Sequence, residues 1–194
     1  MIDAQQYRIG LTVAGLIIPA WTALTNNHRL RVELFRDLTR KSPLVPAGRA
    51  DSIAQALYYG YCGDFFTAAQ LLAPQVENIV RVQLVNSGVH TRQFDDGVQT
   101  EVGLSSLMER KAIDEILGED IAFEIRALFC TSLGPNLRNE YAHGLVGDEG
   151  RSSSAAIYCW WLTWKILDWD FSNHLHDVDA VDALETALPA ELAS

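Results

Sequence analysis

The segment from Ser154 to Phe171 constrains the fold of this chain more than any other stretch. It reads SAAIYCWWLTWKILDWDF and holds four of the five tryptophans of the protein. Apolar residues cover nearly every side of it at helical spacing, so a helix here must lie at the centre of a bundle or in an interface. We therefore expect a helical protein organised around this segment, with the preceding serines capping its first turn.

The rest of the 194-residue chain also has a helical pattern, with one exception. Apolar spacing, capping residues and Gly or Pro breaks predict helices over Asn27–Thr39, Ala50–Tyr61, Asp64–Asn86, Leu104 to a stop at Gly118, and Glu119–Thr131. The first of these has a predicted apolar stripe of Leu30, Leu34 and Leu38. In the third, Asp64 is the predicted N-cap and Pro74 the predicted kink or split. The exception is Thr91 to Val102, where the pair Asp96 and Gly97 predicts a small β-hairpin. The expected fold class is all-α, a multi-helix bundle forming one domain over residues 1–172, followed by an acidic tail over residues 173–194.

The uncharged segment Ile9–Thr25 (IGLTVAGLIIPAWTALT) resembles a membrane span or a signal peptide at first sight. It is short for a span, three threonines dilute its apolar character, and Pro19 interrupts it. We expect a buried helix with a kink at Pro19, and no membrane partner.

Charge and cysteine usage limit the classes of site. The formal net charge is -10, but all 15 basic residues lie at or before Lys165 while the tail beyond it is acidic, so the body is only mildly acidic. That balance predicts weak non-specific binding to nucleic acid. The three cysteines have neither disulfide-framework nor zinc-ligand spacing, so we expect no metal, no cofactor and a reducing, cytoplasmic location.

The stretch GPNLRNEYAHG, Gly134 to Gly144, places three chemically active side chains close together. On a helical wheel Leu137, Tyr141 and Leu145 form an apolar stripe, and the opposite arc carries Arg138, Asn139 and His143 with Ala142 among them. Asn139 and His143 are i,i+4 neighbours that can share a ligand.

The position of these residues adds a prediction about their ligand. With Asn136 as N-cap, or Pro135 as the first helical residue, the arc starts in the first helical turn, where free N–H groups attract anions. Arg138 can bind a phosphate in a fork, Asn139 can orient it, and His143 can move a proton near neutral pH.

These are the groups that metal-independent cleavage of RNA requires, because a ribose 2′-hydroxyl must lose a proton and a phosphorane must be stabilised. One histidine per chain cannot hold both proton positions, which predicts a homodimer with a shared cleft. Two alternatives stay open at this point. The arc could bind RNA or a nucleotide phosphate without chemistry, or it could only build a helical dimer interface.

Glu77 and Arg81 are also spaced i,i+4. We expect them to form an ion pair on or between helices, and Arg81 could join the phosphate site from a neighbouring helix.

The motif Arg138-Asn139-xxx-His143 resembles the Rx4-6H signature of HEPN domains (higher eukaryotes and prokaryotes nucleotide-binding). With Gly144 it reads RNxxxHG, which defines a domain-of-unknown-function family related to HEPN. The resemblance implies an all-α bundle of HEPN type, dimeric, whose active members are metal-independent ribonucleases, with Arg138, Asn139 and His143 as the positions that carry over. An antitoxin or a larger assembly is a further partner that it leaves open. Gly144, Gly147 and Gly150 predict that the motif helix ends soon after His143.

Overall fold

The computed structural model describes residues 2–95, 98–130, 135–147 and 153–168, and the described part is mostly helical with one two-stranded sheet. The all-α fold class is therefore confirmed. The elements are α1 (Ile2–Thr12), a π-helical turn (Val13–Ile17), α2 (Ile18–Asn27), α3 (Val32–Lys41), α4 (Ala50–Tyr61), α5 (Phe65–Asn86), β1 (Arg92–Asp95), β2 (Val98–Glu101), α6 (Leu104–Met108), α7 (Ala112–Leu117), α8 (Glu119–Ile125), a second π-helical turn (Arg126–Cys130), α9 (Leu137–Ala142) and α10 (154–168). The predicted tail over residues 173–194 lies outside the described residues.

The N-terminal helix buries one side only. Ile9, Val13 and Ile17 are spaced by one helical turn and are buried, whereas Leu11 and Leu16 are exposed. The prediction of a buried helix is thus wrong, because the apolar residues of this segment cover its whole circumference but only one stripe meets the core. By length and composition the stretch Gln6–Asn27 could also cross a membrane, and 17% of its most apolar window is buried.

Pro19 is accommodated by the π-helical turn before it. Pro19 cannot donate a backbone hydrogen bond, and the amide of Ile18 donates to the carbonyl of Val13 in an i to i−5 bond. The Trp21 indole N–H then donates to the Tyr61 carbonyl at 3.0 Å, which ties this helix to α4.

Helix α3 faces the core with a different stripe from the predicted one. Its buried residues are Phe35 and Thr39, whereas Leu34 and Leu38 are exposed. The reason is the aromatic partners of Phe35, since its ring lies 5.7 Å from that of Tyr58 and 5.5 Å from that of Trp164. One turn on, Thr39 can be buried because its hydroxyl has backbone carbonyl acceptors within hydrogen-bond distance, Phe35 at 2.9 Å and Ala50 at 3.0 Å.

The helices α4 and α5 match their predicted bounds closely. Asp64 caps α5 by accepting a hydrogen bond from the Thr67 amide at 3.1 Å, as predicted. Pro74 does not split α5, which continues from Phe65 to Asn86. Packing against α4 holds the helix together, since Ala69, Leu72 and Ala73 around the proline are fully buried.

A β-hairpin follows α5, as predicted. Strands β1 and β2 pair antiparallel, with Arg92 opposite Glu101. The predicted turn pair, Asp96 and Gly97, lies outside the described residues. Gly118 ends α7 with φ of 75°, a left-handed value that favours glycine, and α8 begins directly after it.

Helix α10 is the centre of the bundle. Ser153 caps it by accepting a hydrogen bond from the Ala156 amide at 3.1 Å. Trp160 is buried, packs edge-on against Phe65 and donates its indole N–H to the Leu57 carbonyl of α4 at 2.9 Å. The predicted central position is confirmed for residues 154–168, although Trp161 is partly exposed.

Candidate functional site

Helix α9 carries the motif and has only six residues, Leu137–Ala142. Asn136 is the N-cap in a left-handed conformation, and its side chain makes no capping hydrogen bond. Pro135 is not helical, so the alternative prediction that Pro135 is the first helical residue is wrong. Because so short a helix aligns few peptide dipoles, its N-terminus alone attracts an anion only weakly, and the anion site predicted from the sequence would depend on the side chains.

The end of α9 is fixed by Gly144. Its φ is 65°, the Leu145 amide donates to the Glu140 carbonyl at 2.9 Å, and the Gly144 amide donates to the Tyr141 carbonyl at 3.2 Å. This is a Schellman motif, which needs a left-handed residue just beyond the helix. The glycine therefore ends the helix at His143, as the sequence predicts, and leaves His143 exposed.

The apolar stripe of α9 is shorter than predicted. Leu137 is buried, and the ring of Tyr141 packs edge-on against Phe66 at 5.7 Å. Burial raises the pKa of Tyr141 to about 12, which keeps its phenol protonated. Leu145 is exposed, because the chain leaves the helix before reaching it.

Arg138 turns from α9 towards α5 and meets Glu77. Its Nε donates to Glu77 Oε2 at 2.9 Å, and Arg81 Nη2 donates to Glu77 Oε1 at 2.8 Å. Glu77 is thus bound by two guanidinium groups while its side chain is only 14% exposed. The predicted pair of Glu77 and Arg81 is confirmed, and it is more buried than a solvated surface pair.

The same contacts continue to the hairpin. Arg81 Nη1 donates to Glu101 Oε2 at 2.9 Å, and Arg92 Nε donates to Glu101 Oε1 at 2.7 Å. The hydrogen bond from Arg92, with the charges of Arg81 and Arg92, lowers the pKa of Glu101 below its ordinary value. We call this row of five residues, Arg138, Glu77, Arg81, Glu101 and Arg92, the arginine–glutamate ladder. It carries three positive and two negative groups on a chain that is acidic as a whole.

Two clefts meet at Arg138. The Pro74 cleft, of about 370 Å³, lies between α5 and α9 and is lined by residues that include Gln70, Pro74, Glu77, Asn78, Arg138 and Tyr141. The Ser105 cleft, of about 300 Å³, also includes Arg138 in its lining. Its other lining residues include Ser105, Ser106, Cys130, Asn136 and Asn139.

The structure therefore brings two of the three predicted site residues to one cleft. Arg138 and Asn139 share the Ser105 cleft, and the Arg138 side chain is 42% exposed, so solvent reaches its guanidinium. His143 lies one turn further on, where its backbone amide donates to the Asn139 carbonyl at 3.1 Å, but it lines neither cleft.

Cys130 lines the Ser105 cleft but is a poor nucleophile. Burial raises the pKa of its thiol to about 11, so the reactive thiolate is scarce at neutral pH. All three cysteines of the chain lie in the described part and are unpaired. Within the described ranges, no group of three or more His, Cys, Asp or Glu side chains could hold a metal ion.

Sequence reasoning missed the contact between Glu77 and Arg138. These residues are 61 positions apart, and local spacing carries no information about such a pair. The available signal was the set of polar residues Gln70, Glu77, Asn78 and Arg81, which helical spacing places near one face of α5.

No protein-family model, no curated protein and no solved structure gives a significant match to this chain.

Proposed function

We propose that this chain is a HEPN-type, metal-independent endoribonuclease that acts as a homodimer. The observation that carries the proposal is the shared cleft of Arg138 and Asn139, with the exposed imidazole of His143 one helical turn away. The RNxxxHG resemblance and the all-α fold support the same reading. The unpaired cysteines fit the cytoplasmic location expected from the sequence.

In the proposed reaction a ribose 2′-oxygen forms a bond to the adjacent phosphorus while the bond from phosphorus to the 5′-oxygen breaks. One His143 takes the proton from the 2′-hydroxyl, and the 5′-oxygen of the leaving strand receives a proton from the His143 of the second copy. Arg138 stabilises the phosphorane and Asn139 orients the substrate. The products are a 2′,3′-cyclic phosphate and a 5′-hydroxyl.

The second copy is needed because each chain supplies one imidazole at this site. His143 and Leu145 both lie exposed at the end of α9, where another chain can approach them. Specific activity should therefore fall on dilution below the dimer dissociation constant, and sedimentation at the same concentrations should show the monomer appearing.

The test is incubation of purified protein with RNA in a chelator, followed by analysis of the new ends. We expect cyclic-phosphate ends with wild type and at least a 100-fold lower rate in His143→Ala and Arg138→Ala, since loss of a general acid or base costs about 10² to 10⁴ in rate. His28→Ala and Arg49→Ala, which change exposed residues outside the two clefts, are the matched controls. Cleavage that persists in both site variants would exclude this assignment.

A binding module without chemistry is the second candidate, and the position of His143 favours it. Because His143 lines neither cleft, a phosphate held by Arg138 and Asn139 need not touch it. This candidate predicts nucleotide binding that is lost in Arg138→Ala, unchanged in His143→Ala, and accompanied by no cleavage.

A further inference from the structure

The Pro74 cleft has no role in the reaction proposed above, although it shares Arg138 with the Ser105 cleft. Its α5 wall carries Gln70, Pro74, Glu77 and Asn78, whose spacing of three and four residues places them on one side of the helix. Its α9 wall carries the ring of Tyr141 and the small side chain of Ala142. The cleft is therefore narrow, partly apolar and adjacent to the guanidinium that would hold a phosphate.

Pro74 changes the hydrogen-bonding capacity of this wall. In an uninterrupted α-helix the carbonyl of Gln70 would accept from the amide of residue 74, but proline has no N–H. The helix nevertheless continues through this position, so the carbonyl of Gln70, a residue that lines the cleft, lacks its regular helical donor. A backbone acceptor in this position favours a ligand that brings a donor.

Asn78 adds a second polar group to the same wall. Its side chain is half-buried, one turn beyond Pro74, and an amide presents one donor and one acceptor side by side. Each carboxylate oxygen of Glu77 already accepts one arginine N–H, so its charge is balanced by Arg81 and Arg138 and a ligand donor would compete with them.

Together these groups match a flat, partly apolar ligand with an amino group beside a ring nitrogen, attached to a phosphate. Adenine and cytosine both have such an edge; an asparagine amide recognises the N6 amino group and N7 of adenine together, and the two fused rings of adenine cover more of a partly apolar cleft than the single ring of cytosine. Guanine presents a carbonyl oxygen where adenine presents the amino group, and that oxygen would oppose the Gln70 carbonyl. The cleft volume of about 370 Å³ accommodates a nucleobase.

We infer that the Pro74 cleft is a nucleobase subsite that prefers adenine, placed beside the phosphate held by Arg138. The inference rests on the proposed function, because that function puts an RNA phosphate at Arg138. Asn78 and the Gln70 carbonyl determine specificity, and the Tyr141 ring supplies the apolar wall.

The first experiment measures binding apart from cleavage. The His143→Ala protein is titrated calorimetrically with adenosine, guanosine, cytidine and uridine 5′-monophosphates. We expect the adenine nucleotide to bind about tenfold more tightly than the others, and Asn78→Ala in the same background to remove that preference. Asn86→Ala, which changes an exposed amide further along α5 and outside the cleft, should leave it unchanged.

A second variant tests the carbonyl and guards against misfolding. Pro74→Ala restores the amide that the Gln70 carbonyl lacks, so it should raise the melting temperature while weakening binding of the adenine nucleotide several-fold. A more stable protein with weaker binding cannot be explained by damage to the fold. Unchanged adenine affinity in both Pro74→Ala and Asn78→Ala would overturn the inference, as would the absence of nucleotide binding.

The second experiment separates this inference from the proposed function. Oligoribonucleotides that differ in one base beside the cleavage position are offered to the wild-type protein in a chelator. Adenine-selective binding without cleavage would defeat the ribonuclease proposal and retain the subsite. A cleavage rate that changes neither with the neighbouring base nor on Asn78→Ala would defeat the subsite and retain the ribonuclease proposal.

Discussion

Trp160 and Arg138 are each held by a partner on a distant helix, but the two contacts are of different kinds. Trp160 lies buried in α10 and donates to the Leu57 carbonyl at 2.9 Å, surrounded by aromatic rings. Arg138 lies on the short α9, is 42% exposed and donates to Glu77 at 2.9 Å. Close packing of rings fixes the Trp160 region. Ion pairs and the glycine that ends α9 fix the Arg138 region. Changes in shape should therefore damage the first region, and changes in charge the second.

The largest effect should come from Gly60→Ala. A Cβ at Gly60 would overlap the indole atoms Cδ1 and Nε1 of Trp160 and reach within 2.7 Å of Cγ, so the indole must move and lose its hydrogen bond to Leu57. We expect a loss of about 3 kcal/mol in the free energy of unfolding, measured by urea titration. Gly10→Ala, where an added Cβ meets nothing within 4 Å, should be neutral or slightly stabilising. Equal stability of the two variants would contradict the shape-based account of the core.

Glu77→Gln should have the next largest effect, because it removes the charge that holds two arginines together. The side chain of Glu77 is 14% exposed and accepts from Arg81 and Arg138, so solvent screens these contacts only partly. We expect the free energy of unfolding, measured by chemical denaturation, to fall by about 2 kcal/mol, and this loss to be smaller in high salt. The control is Glu33→Gln, whose carboxylate is 67% exposed, and it should cost less than about 0.5 kcal/mol. A neutral Glu77→Gln would show that the apolar contacts of Leu137 and Tyr141 are enough to hold α9.

A smaller and more local effect is expected from Gly144→Ala. Nothing lies within 4 Å of an added Cβ, so the cost comes from the left-handed backbone at φ of 65° and should be about 1 kcal/mol. Amide hydrogen exchange should accelerate in Glu140 to Leu145, while the amides of α5 keep their protection. Gly144→Asn should recover part of the loss, because asparagine tolerates this conformation better than alanine does.

The smallest effect concerns pH and Glu101. The pKa of Glu101 is lowered in the folded state from an ordinary value of 4.5, so its stabilising contribution is present above that value and is lost as the pH falls through the folded pKa. The melting temperatures of wild type and Glu101→Gln should therefore differ at pH 7 and converge in acid. A constant difference from pH 7 to pH 3 would show that Glu101 does not titrate in the ladder.

The same contrast explains what could be predicted from the sequence. The Trp-rich helix and α4 were predictable, because apolar spacing and strong break signals are local properties of the chain. The stripe on α3 was not, since Phe35 owes its burial to rings from α4 and α10 and Thr39 owes its burial to the Ala50 carbonyl. At the site, the helical wheel predicted that His143 faces away from the core and the glycines predicted where the helix ends, whereas the position of Arg138 depended on Glu77, 61 residues away.

The uncharged outer side of α1 and α2 has a practical consequence for handling the protein. Leu11 and Leu16 face water there, and the segment from Ile9 to Asn27 contains no ionisable side chain. Sulfate salts strengthen contacts between apolar surfaces, while added ions weaken contacts between guanidinium and carboxylate groups. Ammonium sulfate should therefore strengthen apolar contacts made by the N-terminal helix and weaken the ion pair that holds α9. A single salt series then distinguishes the two surfaces.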